Sequence, residues 1–89
     1  MERRVQVSEI LKDGAGRLTF VCGSPGTFVT GIEYDSRKVT KGSLFVAVKG
    51  FASDGHDYVG KAVQSGASAV IVDAFRAKDF NIPGVTVIA

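Results

Sequence analysis

Between Gly42 and Gly50 the chain carries five consecutive apolar residues, Leu44-Phe45-Val46-Ala47-Val48, with the Lys41-Gly42 turn before them and Lys49-Gly50 after. A short run that is apolar at every position predicts a strand covered on both faces, the kind that occurs in parallel sheets flanked by helices. A strand of that type needs a helix or loop on each side and parallel neighbours. It therefore limits the rest of the chain more than any other segment does.

The residues that follow supply those neighbours. Tyr58 to Ser65 predicts a helix, with Val59, Ala62 and Val63 as its apolar stripe, Ser53 or Asp54 as N-cap and Gly66 as the residue just past its end. Ala69-Val70-Ile71-Val72 predicts a second short buried strand. Strand, helix and strand within about 30 residues make a βαβ unit with a right-handed crossover. Further on, Ala74 to Phe80 reads as a short surface helix, Asn81-Ile82-Pro83-Gly84 as a turn and Val85 to Ile88 as a last strand. Upstream, Val7, Ile10 and Leu11 have helical spacing within Val5–Lys12, stopped by Gly14 and Gly16. Leu18–Cys22 and Phe28–Tyr34 predict two more strands, either paired as a hairpin or apart in the sheet, with Gly31 marking a bulge or a close neighbour. The expected fold is α/β: a small, three-layer-like domain with a mostly parallel sheet of about five strands, two or three helices and one βαβ unit.

Eighty-nine residues amount to one small domain, 1–89. At that size roughly 60–65% of the extended chain's surface is buried, enough for one core without staples. Net charge is +2, spread along the chain, and few aromatics sit in basic surroundings. Charge therefore gives no reason to expect a nucleic-acid partner. The single cysteine, Cys22, has no internal disulfide partner, which favours a reducing compartment. It ends an apolar run and reads as a small hydrophobe rather than a nucleophile. No signal-peptide h-region follows Met1-Glu2-Arg3-Arg4, and no run approaches the roughly 20 apolar residues of a membrane helix. The expected setting is cytoplasmic, with no membrane partner.

In open α/β sheets, ligands sit outside the carboxyl ends of the parallel strands. That directs attention to the loop Gly50–Gly55 and, if the strand ending at Tyr34 is also parallel, to Asp35-Ser36-Arg37. Each residue there has two readings. Ser36 is a ligand donor or an ordinary turn residue. Arg37 clamps an anion or pairs with Asp35 or Glu33 on the surface. His56, flanked by Asp54 and Asp57, reads as a capping or structural group rather than an acid–base catalyst, and one His without Cys or a second His makes no metal site. The glycines fit neither GxGxxG nor GxxxxGK[ST], so no ATP site is expected. No nucleophile–base pair stands out, so no catalytic residue is assigned.

One longer pattern goes further. Asp35-Ser36-Arg37, Gly42-Ser43-Leu44-Phe45-Val46-Ala47, Gly50, Asp54-Gly55-His56-Asp57-Tyr58 and Ala62 to Gly66-Ala67 with Ala69-Val70 resemble the N-terminal domain of the Mur ligases, over Gly31 to Asp73. Phe51 and its spacing to Asp54 resemble the branch that adds the third residue of the peptidoglycan stem peptide to UDP-N-acetylmuramoyl-L-alanyl-D-glutamate. The branch that adds D-alanyl-D-alanine is the nearest alternative, and a non-enzymatic nucleotide-sugar-binding module another. The resemblance implies a domain that holds the UDP part of the UDP-MurNAc-dipeptide. A central domain would bind ATP and Mg2+, and a third would supply diaminopimelate or lysine. There the D-glutamate carboxylate is activated as an acyl phosphate and attacked by an amine. Carried onto this chain, Ser36 would contact the uridine or its phosphates. Phe51, Ala52 and Ser53 would line the nucleotide, Tyr34 would lie near the uracil, and Arg37 is retained as an anion-binding candidate. No ATP, magnesium or amino-acid site is expected within the 89 residues, so the chain alone is expected to be inactive as a ligase.

Overall fold

The computed structural model describes residues 4–13, 18–24, 26–48, 54–80, 82 and 84–89. Two sheets are present among them. A two-stranded antiparallel ribbon pairs β1 (Val5–Gln6) with β3 (Phe28–Val29). The main sheet has five strands in the order β2 (Phe20–Cys22), β7 (Thr86–Ile88), β6 (Ala69–Ile71), β5 (Ser43–Val46) and β4 (Gly31–Glu33). Strands β4 to β7 are parallel, and β2 closes one edge antiparallel to β7. The mixed α/β class, the mostly parallel five-stranded sheet and the βαβ unit are as the sequence predicts.

Register explains the core. Leu44, Ala69 and Ile88 point to one face, and Phe45, Val70 and Val87, each adjacent to one of them in its strand, point to the other. The first face packs against α1 (Val7–Asp13), through Val7, Ile10 and Leu11. The second packs against α2 (Val59–Gln64), through Val59 and Ala62. A central strand sandwiched in this way must be apolar at successive positions, which is why Leu44 and Phe45 are both fully buried. Because the parallel strands follow one another in space as in sequence, crossovers of one hand place their connections on one face. Val39, Ala62 and Ala77, one from each connection, all pack on the Phe45 face.

The helices end for identifiable reasons. The first N–H of α1, on Val7, is taken by the Thr27 carbonyl at 2.8 Å. Beyond α2, Ala67 N–H reaches Ala62 O and Gly66 N–H reaches Val63 O, both at 3.1 Å, the paired closure that follows a left-handed residue. Gly66 has φ +111°, and a Cβ there would lie 2.8 Å from Lys41 Cα.

Several expectations need correction. The stretch 28–34 is two strands in different sheets, broken at Thr30, whose N–H is drawn to Gly42 O at 2.9 Å. Gly31 marks neither a bulge nor a close contact, since a Cβ there would meet nothing within 4 Å. Of the two arrangements expected for the first and second predicted strands, the one found is apart in the sheet: β2 and β4 lie at its opposite edges. The apolar run does not stay covered to its end: β5 stops at Val46, and Val48 is 51% exposed. Val5 and Gln6 are strand, so α1 starts two residues later than predicted, in keeping with the β preference of valine. The segments Gly55–Tyr58 and Ala74–Asp79 are 3-10 helix. Gly14, Gly16, Asn81 and Pro83 lie outside the described residues, and of the predicted turn at 81–84 Gly84 is described, with φ +78°.

Candidate functional site

Strands β4 and β5 run parallel with Glu33 opposite Phe45, so both leave the sheet at the same edge. The segment after β4, Tyr34 to Arg37, and the end of β5 at Val48 therefore come together. Helix α2 packs against the 3-10 turn Ser36–Lys38 and closes the third side. The result is a cleft of about 460 Å³ at the carboxyl ends of the parallel strands. Tyr34, Asp35, Ser36 and Arg37 line one wall, Phe45 and Val48 the floor and rim, and Gly55, Tyr58 and Lys61 the opposite wall.

The Asp35 carboxylate organises the first wall. Its Oδ1 accepts the Arg37 backbone N–H at 2.9 Å, which starts the 3-10 turn. The same carboxylate receives Arg37 Nε at 3.0 Å and Nη2 at 2.8 Å, a two-pronged ion pair. The Arg37 hydrogen bonds hold the Asp35 carboxyl down to about 2, and Asp35 in turn raises the Arg37 guanidinium. Arg37 thus lines the cleft with its charge already engaged, and its side chain is 81% exposed. The surface pairing weighed for it from the sequence is the one the structure contains.

Ser36 is placed by that turn. It is 8% exposed and faces the cleft, and among the described residues its hydroxyl has no hydrogen-bond partner. Tyr34 stands at the rim, 70% exposed. The structure therefore brings Tyr34, Ser36 and Arg37 to one cleft. Phe51, Ala52 and Ser53 lie outside the described residues; Val48 and Asp54, which flank that loop, are described. Sequence reasoning missed Tyr58 and Lys61. Their signal was present: they fall three apart, beside the predicted inward pair Val59 and Ala62, on the flank of the same helical turn.

The opposite wall is fixed by His56. Its ring is buried, and the Asp73 backbone N–H donates to Nε2 at 2.9 Å. Nε2 must therefore carry a lone pair, so Nδ1 holds the proton and donates to Asp54 Oδ1 at 2.6 Å. Asp54 Oδ1 also accepts the His56 backbone N–H at 3.0 Å, and Arg76 Nη1 reaches Asp54 Oδ2 at 3.4 Å. The backbone and side-chain hydrogen bonds from His56 hold the Asp54 carboxyl below its usual range. This is a structural clasp from the start of the 3-10 turn to the end of β6, in line with the capping role expected of His56. Gly55 sits between them, donating its N–H to Val48 O at 2.8 Å, and a Cβ there would lie 2.6 Å from Val48 N. Only glycine lets this wall approach the Val48 backbone so closely.

Cys22 is half-buried against the Phe45 face, consistent with packing. Among the described residues, no three His, Cys, Asp or Glu side chains cluster to hold a metal ion, and no helix is long and apolar enough to cross a membrane. The sequence contains no GxxxxGK[ST]. Among the described residues the cleft offers hydroxyls, aromatic rings, the Asp35–Arg37 pair and the Lys61 side chain.

Known proteins place this arrangement. The chain is 52% identical over 60 residues to UDP-N-acetylmuramoyl-L-alanyl-D-glutamate–2,6-diaminopimelate ligase of Clostridioides difficile, and 48% identical over 59 residues to the ligase of the same name from Oceanobacillus iheyensis. Those matches cover 67% and 66% of this chain but only 12% of each relative, so the chain spans about an eighth of their length. Among solved structures, UDP-N-acetylmuramoylalanyl-D-glutamyl-2,6-diaminopimelate–D-alanyl-D-alanyl ligase from Acinetobacter baumannii superposes with a TM-score of 0.72 over 99% of this chain and 18% of its own. At 22% identity that likeness speaks for the fold alone. Residues 28–88 match the family described as Mur ligase family, catalytic domain, and the chain belongs to that family.

Proposed function

We propose that this chain is the N-terminal, UDP-substrate-binding domain of an ATP-dependent ligase. That enzyme adds diaminopimelate to UDP-N-acetylmuramoyl-L-alanyl-D-glutamate in peptidoglycan synthesis. The observation that carries the reading is the cleft at the carboxyl ends of β4 and β5, which Ser36 lines together with Tyr34 and Tyr58, its hydroxyl without a hydrogen-bond partner among the described residues, in a member of the Mur ligase family. An open cleft of this size, with aromatic rings beside a hydroxyl and a cation, suits a nucleotide: the rings offer faces for the base and the polar groups meet sugar and phosphate. Diaminopimelate is favoured over lysine, and the third step over the fourth, by the names of the relatives that are 52% and 48% identical to this chain over 60 and 59 residues.

In this reading the chain holds the UDP end of the substrate, and Phe51, Ala52 and Ser53 complete the nucleotide contacts. Chemistry takes place on other domains of the parent enzyme, which carry ATP and Mg2+. The setting is the cytoplasm, where the nucleotide-linked substrate and a free cysteine are both at home.

Titration of the isotopically labelled chain with UDP and with UDP-MurNAc-L-Ala-D-Glu, followed by amide chemical shifts, tests the proposal. Saturable shifts centred on Ser36, Gly55 and Tyr58 are expected. No shift at millimolar ligand would overturn it.

A further inference from the structure

We infer that Lys61 is the cation that receives phosphate charge in this cleft, and that with Ser36 it sets a preference for a nucleoside diphosphate over a nucleoside. The inference rests on the proposed UDP reading and assigns a residue to it.

Charge singles out Lys61. Among the described residues, three ionic side chains line the cleft: Asp35, Arg37 and Lys61. Asp35 and Arg37 cancel each other through a two-pronged pair, with Nε at 3.0 Å and Nη2 at 2.8 Å. Drawing Arg37 onto a phosphate would leave the Asp35 carboxylate unpaired beside the incoming anion, and like charges at close range oppose binding. Lys61 has no such tie, and among the described residues it forms no ion pair. Among the described residues the uncancelled charge of the cleft is therefore positive and resides on Lys61. Its position completes the case. It lies on α2, which packs against the turn carrying Ser36, so ammonium and hydroxyl serve the same space from two walls. A flexible four-carbon stem with a point charge suits a phosphate whose position shifts as the base seats. Lys38, on the same turn as Ser36, does not line the cleft and provides an internal control.

The test compares UDP with uridine on the 89-residue chain and on its Lys61→Met, Lys61→Arg and Lys38→Gln variants, at low and at moderate salt. Lys61→Met is expected to weaken UDP binding about fivefold, the scale of a charge-assisted contact in a solvent-open site, and to leave uridine binding within about twofold. Lys61→Arg should retain most of the UDP affinity, and Lys38→Gln all of it. Added salt should erode UDP binding in the unsubstituted chain and much less in Lys61→Met. Equal UDP affinity in Lys61→Met and the unsubstituted chain would overturn the inference and leave the UDP reading standing. Failure of the unsubstituted chain to bind UDP would overturn both. Lys61 is exposed on α2, and an unchanged amide spectrum in each variant shows that the fold is retained.

Discussion

Asp73 donates its backbone N–H to His56 Nε2 across 2.9 Å, joining the end of β6 to the wall of the cleft. With Nδ1–H given to Asp54, both ring nitrogens are spent inside the protein. His56→Ala removes both contacts and the ring packed near Phe80, whose centroid lies 5.8 Å away. The Asp73 N–H is then left without its acceptor, at a cost of about 1–3 kcal/mol, while Asp54 keeps the backbone N–H of residue 56 and Arg76. His56→Gln can still offer an acceptor to Asp73 and should recover part of the loss. Urea midpoints of the three proteins check this, and a midpoint for His56→Ala equal to that of the unsubstituted chain would refute the clasp.

Acid should weaken the same corner, and the sign follows from Asp54. Its carboxyl in the folded chain lies below the ordinary value of 3.8, chiefly through the hydrogen bond from the His56 N–H. A depressed carboxyl stabilises the fold above the unfolded value and loses that contribution as pH falls through the folded one. Asp35, held at about 2 by Arg37, acts in the same direction between about 4 and 2. Denaturation midpoints should therefore fall progressively below pH 4, and Asp54→Asn should flatten part of that limb. Carboxylate NMR titration of Arg37→Gln should bring Asp35 back up toward 3.8.

The sequence made the centre of the fold legible, because a buried parallel strand leaves its mark at every residue. Leu44, Phe45, Ala69 and Val70 lie where an uninterrupted apolar run requires. The periphery was harder to read. Val5-Gln6 and Phe28-Val29 form a ribbon only because they meet each other, and no local propensity announces a pairing across the 21 residues 7–27 between them. The break at Thr30 is likewise set by a distant partner, Gly42. Of the cleft, Ser36 and Arg37 were legible from strand ends and turn chemistry, and Tyr34 from the family resemblance. Tyr58 and Lys61 were not singled out, since a flank position on a helix has no composition of its own. That Arg37 would choose Asp35 over a ligand was open until the distances were known.

Burial along β5 and just beyond it predicts unequal costs within the apolar run. Phe45 is fully buried against α2, and Phe45→Ala should cost about 3–5 kcal/mol. A domain of this size has a total stability of about 5–13 kcal/mol, so that variant sits near the edge of folding. Val48, half exposed past the strand end, should accept threonine at under about 0.5 kcal/mol. Thermal melts of the two variants separate these cases, and a comparable loss from both would contradict the burial pattern.

Gly55→Ala should damage stability and binding together. Its methyl would fall 2.6 Å from Val48 N and 2.9 Å from Val48 O, both backbone atoms with no rotamer to give way. Overpacking of that kind costs about 1–3 kcal/mol. Relief requires the 3-10 turn to move off β5, which shifts Tyr58 and opens the cleft. A lowered melting temperature with weaker UDP binding is expected, and a variant with both properties intact would show that the two walls are not in firm contact.

Ser36→Ala separates binding from folding. Ser36 lines the cleft and its hydroxyl has no hydrogen-bond partner among the described residues, so its removal leaves none of their groups unsatisfied. The melting temperature should stay within about 2 °C, as expected for a change near 0.3 kcal/mol in a domain of this length. If the hydroxyl meets the nucleotide, its loss removes a hydrogen bond worth about 0.5–1.5 kcal/mol, or 1.5–3 where the acceptor is a charged phosphate oxygen. The UDP dissociation constant should then rise by a factor of about 3 to 100, and the position in that range tells sugar from phosphate. An unchanged dissociation constant would return Ser36 to the role of a turn residue and move the nucleotide away from this wall.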